Sequence, residues 1–252
     1  MNRPDISVMP FTGVVKKLVV ANLAIWIIGV IIIGNFVFHD DRISQWFGFV
    51  PARFFTEFWL WQPFTYMFLH ANNVSHVLIN MLMLWWAGAE LETYWGRRYF
   101  LFYYMICGIG AALIYCAGVF AYYLFTNKTG PLSEPMIGAS GAIYGLLFAY
   151  GVLFGERVVL FLMLFPMKVK YMVMIMGGIS LMNLMSQGLS GQVADLAHLG
   201  GIIVGWFIIK LGPRIRDLMV RRQTRSHGRK LKLVVDNDRR DGSGGNGPRY
   251  WN

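Results

Sequence analysis

The chain has 252 residues, 56% of them hydrophobic and only 14% charged, with a formal net charge of +10 and a mean hydropathy of +0.48. A soluble globular domain carries about a quarter of charged residues. That class is therefore excluded, and the composition describes an all-α polytopic membrane protein of one domain plus tails.

Residues 1–17 form a short N-terminus. The apolar run after it lacks a small-residue cleavage site, so it reads as a retained helix and not a signal peptide. The absence of a transit peptide points to a bacterial inner membrane. Six apolar runs follow in chain order, at about 18–38, 74–94, 99–125, 137–154, 171–186 and 195–211. Most approach the ~20 residues needed to cross the hydrocarbon core. The fourth and fifth are shorter, so those helices are expected to start below the surface. Cys107 and Cys116 lie in the third run, more than two helical turns apart and too far to be bridged.

Basic residues orient the six-helix bundle. With both termini cytoplasmic, 20 of the 23 Lys and Arg fall inside, and only Arg42, Arg53 and Lys128 fall outside, as the positive-inside rule requires. The organisation expected is a cytoplasmic N-terminus (1–17), a membrane domain (18–211) with an interfacial loop at about 39–73, and a basic, flexible cytoplasmic tail (212–252). The loop holds Phe54, Phe55, Phe58, Trp59, Trp61, Phe64, Tyr66 and Phe68, and such aromatics favour the membrane interface. From Lys210 onward there are 12 Lys and Arg against four Asp. Topology and attraction to anionic lipid account for that charge, so nucleic acid is not expected as a partner.

The polar residues of the membrane runs fall in one layer. In this topology the second, fourth and sixth runs begin on the outer face. Their first turns carry His76 and Asn80, Ser140 and Tyr144, and Asp195 and His198. Polar groups at membrane depth are costly and mark function. His76 and Asn80 are four residues apart, as are Ser140 and Tyr144, so each pair shares a helical face. Gly141-x-x-x-Gly145 and Gly201-x-x-x-Gly205 are small-residue spacings that let backbones approach. They could bring His198 against the fourth helix at the level of Ser140. A serine hydroxyl becomes a nucleophile when a base takes its proton, and histidine is the usual base. His76 and Asn80 could then donate to an oxyanion, as could the N-terminus of the helix carrying Ser140.

Singly, each residue has an ordinary reading. His76 could be a packing histidine, Asn80 interhelical glue, Asp195 a helix cap, and the glycines plain packing surfaces. Together, at one depth, they supply nucleophile, base and oxyanion donors. The core lacks the charged path of a transporter or channel. None of the five histidines belongs to a His-Glu-x-x-His pair, so a metalloprotease is not supported and no metal or organic cofactor is implied. Asp195 alone cannot make an aspartyl intramembrane protease.

These residues resemble the rhomboid intramembrane serine proteases. The likeness covers about residues 59–205. It rests on Gly138-Ala139-Ser140-Gly141, His76-x-x-x-Asn80 and Ala197-His198-x-x-Gly201-x-x-x-Gly205, with Glu92-x-x-x-Gly96 at the inner end of the second helix. The resemblance implies Ser140 as nucleophile and His198 as general base in a dyad. It implies an oxyanion hole of His76, Asn80 and the Ser140 backbone N–H, with Tyr144 packed under the His198 ring. It further implies hydrolysis of peptide bonds in or near transmembrane segments of protein substrates within the lipid bilayer. An outward-opening water-accessible cavity is implied as well, covered by the loop before the sixth helix and with His70 near it. Members carry Trp-Arg in the first loop where this chain has Trp61-Gln62-Pro63, so contacts depending on that arginine are not expected. Ala142 breaks the Gly-x-Ser-x-Gly pattern of a soluble α/β-hydrolase. A catalytically inactive rhomboid-like binding or quality-control protein is the alternative, although such relatives usually lose the serine or the histidine. Nothing in the sequence specifies an oligomeric state.

Overall fold

The computed structural model describes residues 11–161, 165–187 and 193–227. The chain divides at Lys210, and the first unit, up to that residue, contains the helical bundle. Five of its helices are long and apolar enough to cross a membrane. With a sixth, shorter apolar helix they make an integral multi-pass membrane protein.

The first span covers Gly13–Phe38. It starts as α1 (Gly13–Ile25) and continues in wider π-helical winding over Trp26–Phe38, ending at His39 with a left-handed φ of 57°. Its first turn is tied to another span. The Glu92 carboxylate accepts the backbone N–H groups of Val14 and Val15, at 2.8 Å each. Those donors have no acceptor within their own helix, and an anion there also meets the positive end of the helix dipole. Gly13 has φ +68°, and a Cβ at that position would run into the Glu92 carboxylate.

The interfacial segment is more ordered than its aromatic content suggests. It folds as α2 (Arg42–Phe47), α3 (Pro51–Thr56), α4 (Gln62–Thr65) and a 3-10 turn at Tyr66–Phe68. Gln62 is fully buried and joins these pieces. Its Oε1 accepts the Val50 N–H at 3.0 Å, and its Nε2 donates to the carbonyls of Gln45 (3.2 Å) and Trp46 (3.4 Å). An amide thus ties the loop together at the position where the resemblance has an arginine that this chain lacks.

The remaining spans are α5 (Val74–Trp95), α6 (Arg97–Thr126), α9 (Val169–Gln187) and α10 (Val193–His227). The short α7 (Gly130–Ser133) leads into the apolar α8 (Ser140–Phe154). Asn73 caps α5, its side chain accepting the Ser75 N–H at 2.9 Å. α8 has 15 residues, roughly 22 Å at the helical rise, too short for a full crossing. The fourth apolar run does not become helical at residue 137. Gly138 has φ +123°, a conformation open to glycine alone in practice, so the helix begins at Ser140. The fifth run is longer than expected, because Val169 and Lys170 join its helix. An antiparallel hairpin, β1 (Val158–Phe161) and β2 (Phe165–Lys168), links α8 to α9, with Val158 opposite Lys168.

α6 is the middle of the bundle, in contact with α1, α5 and α8. Its buried residues include Tyr103, Tyr104, Cys107, Ala111 and Tyr115. Apolar burial drives little association among helices already in lipid, so close backbone packing through small residues holds them. Gly145 of α8 sits on Cys107, where an added Cβ would lie 2.6 Å from the sulfur. Gly200 of α10 sits on Ala111, with 3.2 Å left for a Cβ. The second unit, Leu211–Asn252, is described only as the last turns of α10, through His227. The rest of the expected flexible tail lies outside the described residues.

Candidate active site

Ser140 is the first residue of α8, and Ala139 before it offers no side-chain cap. The N–H groups of this first turn have no acceptor within the helix. They stand beside the serine hydroxyl, at the positive end of the dipole. The segment leading in is pinned on two sides. Phe49 and Met136 exchange backbone hydrogen bonds of 2.8 and 2.9 Å, and the Gly138 N–H donates to the Tyr66 carbonyl at 3.0 Å.

His198 comes to this hydroxyl from α10. Its Nε2 lies 2.8 Å from Ser140 Oγ. The glycines make that approach feasible. The backbone of Gly201 lies on the carbonyl of Gly141, and a Cβ on Gly145 would stand 3.1 Å from the Gly201 carbonyl oxygen. Gly205 faces the Tyr103 hydroxyl and the Gly145 backbone in the same way. One face of the His198 ring is covered by Tyr144, stacked nearly parallel (3°) at 4.1 Å between centroids. Its Nδ1 meets Ser180 Oγ of α9 at 3.3 Å. Asp195 Oδ1 is 3.7 Å from the same nitrogen, beyond hydrogen-bond range. Asp195 is buried, with Ser180 and Asn183 as its other polar neighbours.

His76 enters from α5. A Cβ built on Gly138 would lie 3.2 Å from His76 Nε2 and 3.7 Å from Ser140 Oγ, so the ring and the hydroxyl flank that glycine. His76 Nδ1 accepts the Ala71 N–H at 3.3 Å. The neutral ring therefore carries its hydrogen on Nε2, the nitrogen facing Gly138. Asn80 lies one turn along α5, and its Nδ2 donates to the His76 carbonyl at 2.8 Å. That bond engages Asn80 with its own helix and not with Ser140.

His70 is fully buried, and its ring meets that of His76 edge-on at 5.2 Å. Burial, reinforced by His76 alongside, pushes it down to about 4, so it is neutral at physiological pH. It lines a cavity of about 450 Å³ shared with Asn35, His39, Asp40 and Asn72. The loop expected to cover the site, residues 188–192, lies outside the described residues. Among the described residues no group of His, Cys, Asp or Glu could hold a metal ion.

Sequence reasoning did not find Ser180. A lone hydroxyl in an apolar run carries no signal until the helices are paired, since its partners are 36 and 18 residues away.

The Rhomboid domain family matches residues 57–214. "Rhomboid protease AarA" of Providencia stuartii is 28% identical over 201 residues, 76% of this chain and 69% of that protein. "RHOMBOID-like protein 1" of Arabidopsis thaliana is 33% identical over 149 residues, 59% of this chain and 33% of its own length. "RHOMBOID-like protein 5" of the same plant is 29% identical over 161 residues, covering 64% of this chain. The chain spans only 47% of that last relative's length.

Proposed function

The chain belongs to the rhomboid family, and from that premise we propose that it is an intramembrane serine endopeptidase acting on transmembrane segments of other proteins. Ser140 is the nucleophile and His198 the general base. Ser140 Oγ attacks the scissile carbonyl carbon while His198 Nε2 takes the hydroxyl proton. The carbonyl oxygen becomes an oxyanion and accepts hydrogen bonds from His76 Nε2–H, the Asn80 amide and the Ser140 backbone N–H. Collapse breaks the C–N bond, and His198 returns the proton to the departing amine. Water then hydrolyses the Ser140 ester, again with His198 as base. Gly141, Gly201 and Gly205 hold α8 and α10 at contact distance, Gly138 leaves room for His76 beside Ser140, and Tyr144 keeps the imidazole in plane.

The observation that carries this reading is the 2.8 Å hydroxyl–imidazole contact, within reach of helix N-terminal donors and His76. A protein that only binds membrane segments has no need of that pairing, which is why hydrolysis is preferred to an inactive binding role. We assign both termini to the cytoplasmic side of a bacterial inner membrane, with residues 212–252 as a basic cytoplasmic tail. The distribution of basic residues supports that orientation, and reporter fusions at either end test it.

The decisive experiment is cleavage of a single-span reporter protein by the purified chain in proteoliposomes. Ser140→Ala and His198→Ala should each abolish cleavage while the protein stays folded. A fluorophosphonate should label the parent at Ser140, and a chelator should change nothing. Unchanged cleavage by Ser140→Ala would rule the mechanism out.

A further inference from the structure

Ser180 is the only buried position among the described side chains of residues 178–186 on α9. Its Oγ stands 3.3 Å from the Tyr144 hydroxyl, to which it donates, and 3.3 Å from His198 Nδ1. A serine hydroxyl has one hydrogen and two acceptor lone pairs. Directed to the Tyr144 hydroxyl or to the Asp195 carboxylate, that hydrogen leaves Oγ able only to accept from His198. The imidazole hydrogen must then sit on Nδ1, which leaves Nε2 a bare lone pair aimed at Ser140 Oγ, 2.8 Å away. The opposite tautomer would put a hydrogen on Nε2, where it could not receive the serine proton.

We propose that Ser180 is a positioning residue that selects the tautomer of His198 required for proton abstraction. The inference rests on the reading of His198 as general base. Ser180 fills the place behind the imidazole that a carboxylate would occupy in a triad. Asp195 does not fill it, because its nearer oxygen is 3.7 Å from Nδ1, beyond hydrogen-bond range. The other groups facing the His198 ring are Ser140 and Tyr144 from α8, and His76 from α5, close enough for the two imidazoles to influence each other electrostatically. None of them reaches Nδ1. The arrangement also ties the base to α9, the candidate span with the smallest buried share, 17%.

The test measures kcat and KM on the reporter substrate for the parent, Ser180→Ala, Ser180→Thr and Asp195→Asn. Ser180→Ala should lower kcat about tenfold, the size of one lost hydrogen bond, with KM changed less than about twofold. Ser180→Thr, which keeps a hydroxyl, should recover most of the rate. Asp195→Asn should cost less than Ser180→Ala. Parent-like kcat in Ser180→Ala overturns the proposal, as does a threonine variant no better than the alanine one, which would reveal a packing role. If the parent labels at Ser140 and cleaves while Ser180→Ala is indifferent, only this inference fails. A parent that neither labels nor cleaves removes the hydrolase reading and this one with it.

Discussion

Gly201 of α10 lies against the carbonyl oxygen of Gly141 of α8, so close that a side chain of any size at 201 would strike it. The obstacle is backbone, which cannot rotate aside as a side-chain tip can. The separation of these helices, and with it the 2.8 Å between Ser140 Oγ and His198 Nε2, is set by the absence of one methyl group.

Gly201→Ala should therefore push α10 away from α8. Overpacking of this kind costs about 1–3 kcal/mol, and a displacement near 1 Å between reacting groups costs about 100-fold in rate. Turnover is expected to suffer well beyond the fall in thermal midpoint, both measured in the same detergent. Gly178→Ala on α9 is the control, since nothing lies within 4 Å of a Cβ there. Equal behaviour of the two variants would remove the close-approach argument.

His76 and Asn80 should not be equivalent. His76 Nε2 faces Gly138 beside Ser140, whereas the Asn80 amide already donates to the His76 carbonyl. His76→Ala should lower kcat by roughly 100- to 1,000-fold, the effect of losing an oxyanion donor. Asn80→Ala should cost less, in part by loosening the turn that carries His76. Single-turnover rates on the reporter substrate decide the order, and a larger loss at Asn80 would reverse this assignment.

The connection between α8 and α9 should carry an acid-sensitive tie. Glu156 accepts hydrogen bonds from Lys168, at 2.7 Å, and from Lys170. These bonds hold its carboxyl at about 2, well below its ordinary value of 4.5. A carboxylate lowered in the folded state contributes stability above its unfolded pKa and loses it as pH falls through the folded one. The contribution should be whole above about pH 5 and fade between 4.5 and about 2. Because Glu156 is exposed, salt should weaken it. The difference in thermal midpoint between the parent and Glu156→Gln, followed from pH 7 to pH 2, should shrink across that window. A difference that stays constant down to pH 2 would show that the tie does not depend on charge.

The spans were legible in the sequence because lipid demands long uncharged stretches, and each of the six apolar runs contains a helix. That His76, Ser140 and His198 could meet was legible for the same reason, since all three sit near the start of a run. The contact of Tyr144 with His198 came only with the family resemblance. Periodicity could not reveal the short helices around Gln62, where aromatic residues obscure any helical repeat, nor the Val158–Phe161 strand, whose apolar residues read equally well as the fringe of a span. The late start of α8 depends on the positive φ of Gly138, which the letter G permits but does not announce. Ser180 stayed hidden because its meaning lies across a helix interface.

The 3.3 Å bond from the Ala71 amide to His76 Nδ1 has a consequence for the gap beside Ser140. A donor stands behind His76, while Ser180, in the role proposed above, stands as an acceptor behind His198. Two chemically identical rings are thereby given opposite polarity toward the alcohol between them. One wall of the gap is a hydrogen, the other a lone pair, and the local field runs one way across it. Exchanging what stands behind the rings, with no change to either histidine, would exchange which of them presents a hydrogen to that gap.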